Sequence, residues 1–144
     1  MRRKVIAGNW KLNNTAGSAR QLINALKMKT VNVENTDIIV CPPFTALSAA
    51  AETARDSNID VGAQDVYWED SGAFTGEVST PMLSEIGCSA CIVGHSERRE
   101  YFDETDEMVH QKTRALIDGG LHAIFFVGES LEQREADETV SVVG

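Results

Sequence analysis

The strongest constraint in this chain is a regular alternation of short, β-branched apolar runs with longer stretches of helical periodicity. Runs of strand length occupy residues 4–8, 38–41, 59–63, 91–94 and 123–127. Several are continuously apolar rather than alternating, which fits strands buried on both faces of a parallel sheet. Between them, residues 15–28 place Ala19, Leu22, Ile23 and Leu26 on one helical face. Residues 45–55 are alanine-rich, and Thr80-Pro81-Met82-Leu83 opens a helix with threonine as cap and proline in the first turn. Residues 105–118 carry Met108, Val109, Lys112, Leu116 and Ile117, and Gly119-Gly120 stops them. A Glu-rich helix begins at Leu131. Strand–helix alternation without a linker predicts one α/β domain, a parallel sheet covered by helices. An open doubly wound sheet and a closed barrel both satisfy the pattern. The lack of a G-x-G-x-x-G after the first strand weakens the dinucleotide-binding version.

The charge narrows the partners. With 13 Lys and Arg against 22 Asp and Glu, the net charge of −9 disfavours nucleic acid and anionic membranes, which select basic surfaces. A small anion remains compatible, because one well-placed lysine acts locally while the overall field is screened over about 10 Å. The basic start Met1-Arg2-Arg3-Lys4 has no extended apolar stretch behind it, so no secretory leader is expected, and a cytoplasmic location is. Cys41, Cys88 and Cys91 are odd in number and read as reduced, buried thiols. The single C-x-x-C at 88–91 lacks the second ligand pair that structural zinc needs, so no metal is expected. Its odd spacing near a strand start predicts side chains on opposite faces.

Polar residues at the C-terminal ends of parallel strands are the natural place for chemistry, since ligands bind there in both architectures. The first strand ends in Asn9-Trp10-Lys11, and continued extension would put Asn9 and Lys11 on one side with Trp10 opposite. An amide and an ammonium aimed together suit an oxyanion or phosphate; a capping asparagine beside a solvated lysine is the plainer reading. The fourth strand ends in Gly94-His95-Ser96-Glu97-Arg98-Arg99, running into a short helix. There the positive end of the helix dipole favours an uncharged His95 ring acting as a hydrogen-bond donor. Glu97 is either part of the same site or a carboxylate at a helix N-terminus. After the third strand, Gly72-Ala73-Phe74-Thr75-Gly76-Glu77 forms a long connection with an apolar tip. That tip either meets a partner or folds back on its own domain.

Six motifs together carry a resemblance. Gly8-Asn9-Trp10-Lys11, Cys41-Pro42-Pro43, Gly62-Ala63-Gln64, Gly72-Ala73-Phe74-Thr75-Gly76-Glu77, Gly94-His95-Ser96-Glu97-Arg98-Arg99 and Val127-Gly128-Glu129 are similar, in order and spacing, to the triosephosphate isomerase family. The resemblance implies the (β/α)8 TIM barrel fold, here a partial barrel of about five parallel strands in one domain over residues 1–144. It implies interconversion of D-glyceraldehyde 3-phosphate and dihydroxyacetone phosphate through an enediol(ate), in glycolysis and gluconeogenesis, by a cytoplasmic homodimer without cofactor. It implies substrate binding by Asn9 and Lys11, with Lys11 also offsetting developing enediolate charge. His95 becomes the electrophile polarising the carbonyl, a histidine for which this family is the usual illustration. Glu97 becomes a supporting carboxylate, and Phe74, Thr75 and Gly76 become dimer contacts beside the neighbouring subunit's site.

The departures carry their own expectations. The full barrel takes about 250 residues, and the family's catalytic base, lid and glycine-rich phosphate site have no matching positions here. The chain is therefore expected to be the N-terminal portion of an isomerase and inactive alone. The alternatives are a non-catalytic half-barrel that binds or dimerises through the third loop, and one half of a split enzyme. Ala123 and Phe126 stand where the family usually has proline and cysteine. A larger side chain in a packed interior predicts strain or repacking around Phe125 and Phe126 in the fifth strand.

Overall fold

A computed structural model describes residues 3–144; Met1 and Arg2, part of the N-terminal segment read above against a leader, lie outside the described residues. Five strands form one sheet in the order of the chain, β1 (Lys4–Asn9), β2 (Thr36–Cys41), β3 (Ile59–Ala63), β4 (Ala90–Val93) and β5 (His122–Phe125). Every neighbouring pair is parallel. The interleaved helices are α1 (Ala16–Thr30), α2 (Phe44–Ala54), α3 (Thr80–Glu85), α4 (Ser96–Tyr101) and α5 (Asp106–Asp118), with α6 (Leu131–Glu135) and α7 (Thr139–Val143) after the last strand. None of the described helices is long and apolar enough to cross a membrane.

Local chemistry accounts for most of the helix starts. Thr15 caps α1 in a reciprocal box with Ser18, and Thr105 caps α5 through Met108 N–H at 3.2 Å. At α3 the cap position falls to Ser79, one residue before the expected Thr80, with Pro81 still in the first turn. Both hydroxyls are buried without a hydrogen-bond partner. The Glu-rich tail forms two short helices instead of one. It breaks where Asp137 takes a left-handed φ of 59°, and no residue of either helix is buried to hold a longer one.

The sheet has two unlike faces. Ile23, Val40, Leu47, Val61, Leu83, Cys91, Val93, Val109 and Leu116 form the main core between strands and helices. The opposite face carries a thinner set, Ile39, Cys41, Ala90 and Ile92, with Ile124 against it. Gly62 lies on that second face, where an added Cβ would meet Cys41 Sγ at 3.1 Å and Ala90 O at 3.2 Å. All three cysteines are buried and free. Cys88 and Cys91 share the main core instead of facing opposite ways, because Cys88 precedes β4 and does not follow strand periodicity.

The outer strands are open. Val5 and Ile6 on β1 are 54% and 63% exposed, and Phe125 on β5 is 53% exposed. Phe126, just past β5, is also exposed, its ring against His95 at 5.0 Å between centroids. On α5, Val109, Lys112 and Leu116 are buried while Ile117 faces outward.

Candidate functional site

The sheet's thinner face ends, at the C-terminal edge of the strands, in a cavity of about 640 Å³. Asn9, Lys11, Gln64, His95, Glu97 and Arg98 line it, with apolar walls from Phe44, Ile92 and Tyr101. Strand register explains the convergence. Asn9 pairs with Cys41 on the inner face, and period-two alternation carries that face to Gln64 just past β3.

Lys11 arrives by a different route from the one expected. It is not extended: φ is 53°, a left-handed conformation that costs a non-glycine residue about 1–3 kcal/mol. The turn is held by side chains at both ends of the residue. Asn9 Oδ1 accepts Lys11 N–H at 3.0 Å, and Gln64 Nε2 donates to Lys11 O at 2.9 Å. With its amide oxygen engaged, Asn9 keeps Nδ2 as the donor available to the cavity.

The Lys11 ammonium meets Glu97 Oε1 at 2.5 Å, joining two residues 86 apart in sequence. This bond, helped by the charge of the Lys11 ammonium, holds the Glu97 carboxyl below the usual carboxylate range against the opposing effect of desolvation. The pair is exposed, so it fixes placement more than it stabilises the fold. His95 occupies the N-cap of α4, where its Nδ1 accepts Glu97 N–H at 3.2 Å. A lone pair on Nδ1 puts the ring proton on Nε2, which makes Nε2–H the donor of the imidazole. Glu97 Oε2 lies 3.6 Å from Nδ1.

Beneath His95 lies a quartet of charges that sequence pattern did not reveal. Lys112 Nζ bonds Asp65 Oδ1 and Glu104 Oε2, both at 2.7 Å. Arg98 reaches the same two carboxylates at 2.9 and 2.8 Å. Glu104 Oε1 also accepts Gly94 N–H at 3.1 Å, and Arg99 donates to Gly94 O at 2.9 Å, so the residue before His95 is gripped on both sides. Burial pushes the Asp65 carboxyl up, and the nearby cations only partly oppose it. Burial also acts on Glu104, but the bonds from Lys112, Arg98 and Gly94 outweigh it and hold that carboxyl down. A lysine within the apolar stripe of residues 105–118 was the available signal for this network.

The third-loop residues are elsewhere. Phe74, Thr75 and Gly76 are exposed and line no part of this cavity. The Phe74 ring packs on Tyr67 at 4.5 Å between centroids, so the tip leans on its own domain while leaving Thr75 free to solvent. The described residues contain no group of three or more His, Cys, Asp or Glu placed to hold a metal.

The sequence model described as triosephosphate isomerase matches residues 4–144. The triosephosphate isomerase of Moorella thermoacetica is 53% identical over 144 residues, covering 100% of this chain and 57% of that protein. That of Trichlorobacter lovleyi is 50% identical over 143 residues, covering 99% and 57%. The crystal structure of triosephosphate isomerase from Bartonella henselae superposes with a TM-score of 0.92 at 38% identity, over 98% of this chain and 58% of that one. The chain thus spans less than two thirds of the proteins it matches, and its five strands make a partial barrel. On the family match over nearly its whole length, this chain belongs to the triosephosphate isomerase family.

Proposed function

We propose that this chain, as an N-terminal portion of a single barrel domain, supplies the carbonyl-polarising and charge-stabilising half of a triosephosphate isomerase site. The observation that carries the proposal is that Asn9, Lys11, His95 and Glu97, from the ends of β1 and β4, line one cavity. Isomerisation of a triose phosphate moves a proton between adjacent carbons through an enediolate, without redox or a cofactor. The carbonyl oxygen gains charge as the carbon-bound proton leaves, and donors already aimed at that oxygen lower the barrier without reorganising. In this assignment His95 Nε2–H donates to the oxygen, Lys11 balances the phosphate and enediolate charge, Asn9 contributes a second donor, and Glu97 keeps Lys11 in place.

Proton abstraction needs a base on the far side of the substrate. Glu97, the carboxylate nearest His95, is tied to Lys11 at 2.5 Å. The base is assigned to the part of the relatives' length that this chain does not span. A missing general base costs about 10²–10⁴-fold in rate, so the chain alone is expected to be inactive. The full protein is proposed to be a cytoplasmic homodimer in which Phe74, Thr75 and Gly76 reach toward the neighbour's site. A second possibility, a non-catalytic half-barrel or one half of a split enzyme, draws on the open β1 and β5 edges, which offer unpaired backbone to another chain.

The test is aldose–ketose conversion by the chain alone and by the chain joined to the remaining C-terminal length of the Moorella thermoacetica relative. No turnover alone and turnover when joined are expected. Near-normal turnover alone would contradict the missing base, and an inert but folded joined protein would favour the non-catalytic alternative.

A further inference from the structure

Two cavities flank the ends of β4 and β5, and one aromatic ring stands between them. His95 lines the site cavity, and Phe126 does not. Phe126 lines a second cavity of about 640 Å³, with Ser96, Arg99, Val127 and Glu129, and His95 does not. The two rings are in contact, their centroids 5.0 Å apart and their planes tilted by 54°. Backbone register puts them there. Strands β4 and β5 pair through Val93 and Phe125, and Phe126 N–H carries the ladder one residue further by donating to Val93 O at 2.9 Å. The Phe126 carbonyl lies so close to Gly94 that a Cβ added there would meet it at 2.9 Å. The phenyl ring is thus kept beside the Gly94–His95 turn by its own main chain, and the His95 side chain is only 15% exposed.

We propose that Phe126 is a positioning residue for His95, fixing the plane of the imidazole so that Nε2–H stays turned to the site cavity. The hydrogen bond from Glu97 N–H to Nδ1, at 3.2 Å, secures one corner of the ring and leaves its plane free to swing about that bond. A second restraint by a polar neighbour would compete for the Nε2 proton or the Nδ1 lone pair. A phenyl ring carries no such group. It favours a tilted contact with another aromatic ring, and it keeps the water of the second cavity off the imidazole. The feature belongs to this chain, since Phe126 stands where the family usually has cysteine, a far shorter side chain. The inference rests on the reading above that His95 polarises the carbonyl, but its first test reads the imidazole itself and not turnover.

The experiment follows the ring nitrogens of His95 by ¹⁵N NMR at alkaline pH in the parent chain, in Phe126→Ala and in Phe126→Tyr. The parent and Phe126→Tyr, which keeps the ring, are expected to show one tautomer with the proton on Nε2. In Phe126→Ala the two nitrogen shifts are expected to move toward each other as the freed ring averages between tautomers. Should Phe126→Ala not fold, Phe126→Leu, which keeps apolar bulk but not the aromatic contact, is read against the same expectation. A parent-like signature in the folded ring-less variant, or its loss in Phe126→Tyr, overturns the proposal. In the protein joined to its C-terminal remainder, the ring-less variant is expected to lower kcat about 2–10-fold, the worth of one aromatic pair, with KM little changed. The same change in a His95→Gln background is expected to have no further effect; an equal fall in both backgrounds places the loss elsewhere in the packing and overturns the proposal. If no joined protein turns over, the isomerase assignment is what fails, and the ring signature alone decides this one.

Discussion

Replacing Lys112 by methionine removes the cation at the centre of the buried quartet while nearly keeping its volume. The side chain is 3% exposed and bonds two carboxylates that are 8% and 1% exposed. Without it, Asp65 and Glu104 share only Arg98, and the buried group carries an unbalanced negative charge. Breaking a buried ion network by deleting one partner costs about 3–5 kcal/mol, chiefly through the charge left behind. Taking a urea slope of about 2 kcal/mol per molar, the midpoint falls by about 2 M, a large share of the stability of an ordinary domain. The assay is urea unfolding followed by the fluorescence of Trp10 and Trp68. A paired variant, Lys112→Met with Asp65→Asn, restores neutrality, and the asparagine oxygen still accepts from Arg98 while its nitrogen takes the side that Lys112 vacates. It is expected to recover part of the loss. A fall below about 0.5 M for Lys112→Met, or a paired variant less stable than the single one, would refute burial of an unpaired charge as the cause.

The remaining expectations are smaller or more local. Glu104 is held below the ordinary carboxylate range when folded, so its contribution is complete above its unfolded pKa and is lost as pH falls through the lowered folded value. Glu104→Gln should therefore flatten the acid limb of stability against pH, and an unchanged limb would count against it. Burial raises the thiol of Cys41, with Cys88 adding to it, to about 12, and burial alone raises Cys88 to about 11. Alkylation by iodoacetamide at pH 8 should thus be slow in the folded chain and fast in urea, as read by mass spectrometry. At Gly94, φ is +70° and an added Cβ would meet Phe126 O at 2.9 Å and Val109 Cγ1 at 3.1 Å. Gly94→Ala should cost about 1–3 kcal/mol by thermal unfolding. In the protein joined to its C-terminal remainder, His95→Gln should lower kcat about 10²–10³-fold with little change in KM, since the interaction it removes strengthens only as charge develops.

Much of the fold was legible because its signal is local. Strand runs such as 59–63 owe their apolar, β-branched character to burial on both faces, and the structure reproduces β3 at the same bounds. The caps at Thr15 and Thr105 are equally local. That Asn9, Lys11, His95 and Glu97 line one cavity was legible for a related reason: all lie at or just past strand ends, which a parallel sheet gathers on one side. What escaped depends on partners distant in sequence. The left-handed turn at Lys11 is bonded by Gln64, 53 residues away, and nothing in Asn9-Trp10-Lys11 announces it. Lys112 was read only as one residue of the 105–118 helix, because its two carboxylates come from the loop after β3 and from the segment before α5. Phe126 was read as interior from the family position it occupies, where a cysteine is usual. In this chain its ring lies beside His95, a contact between the ends of β4 and β5 that no local pattern announces.

The central claim is that strands one and four bring their polar ends to one mouth, and the pairing of Lys11 with Glu97 is its most direct signature. Titration of the Glu97 carboxyl by ¹³C NMR, in the parent chain and in Lys11→Met, measures that pairing without reference to activity. The midpoint should lie below the ordinary carboxylate range in the parent and return to it in the variant. Identical midpoints in two folded proteins would mean that the ammonium and the carboxylate do not meet, and the shared site would be contradicted.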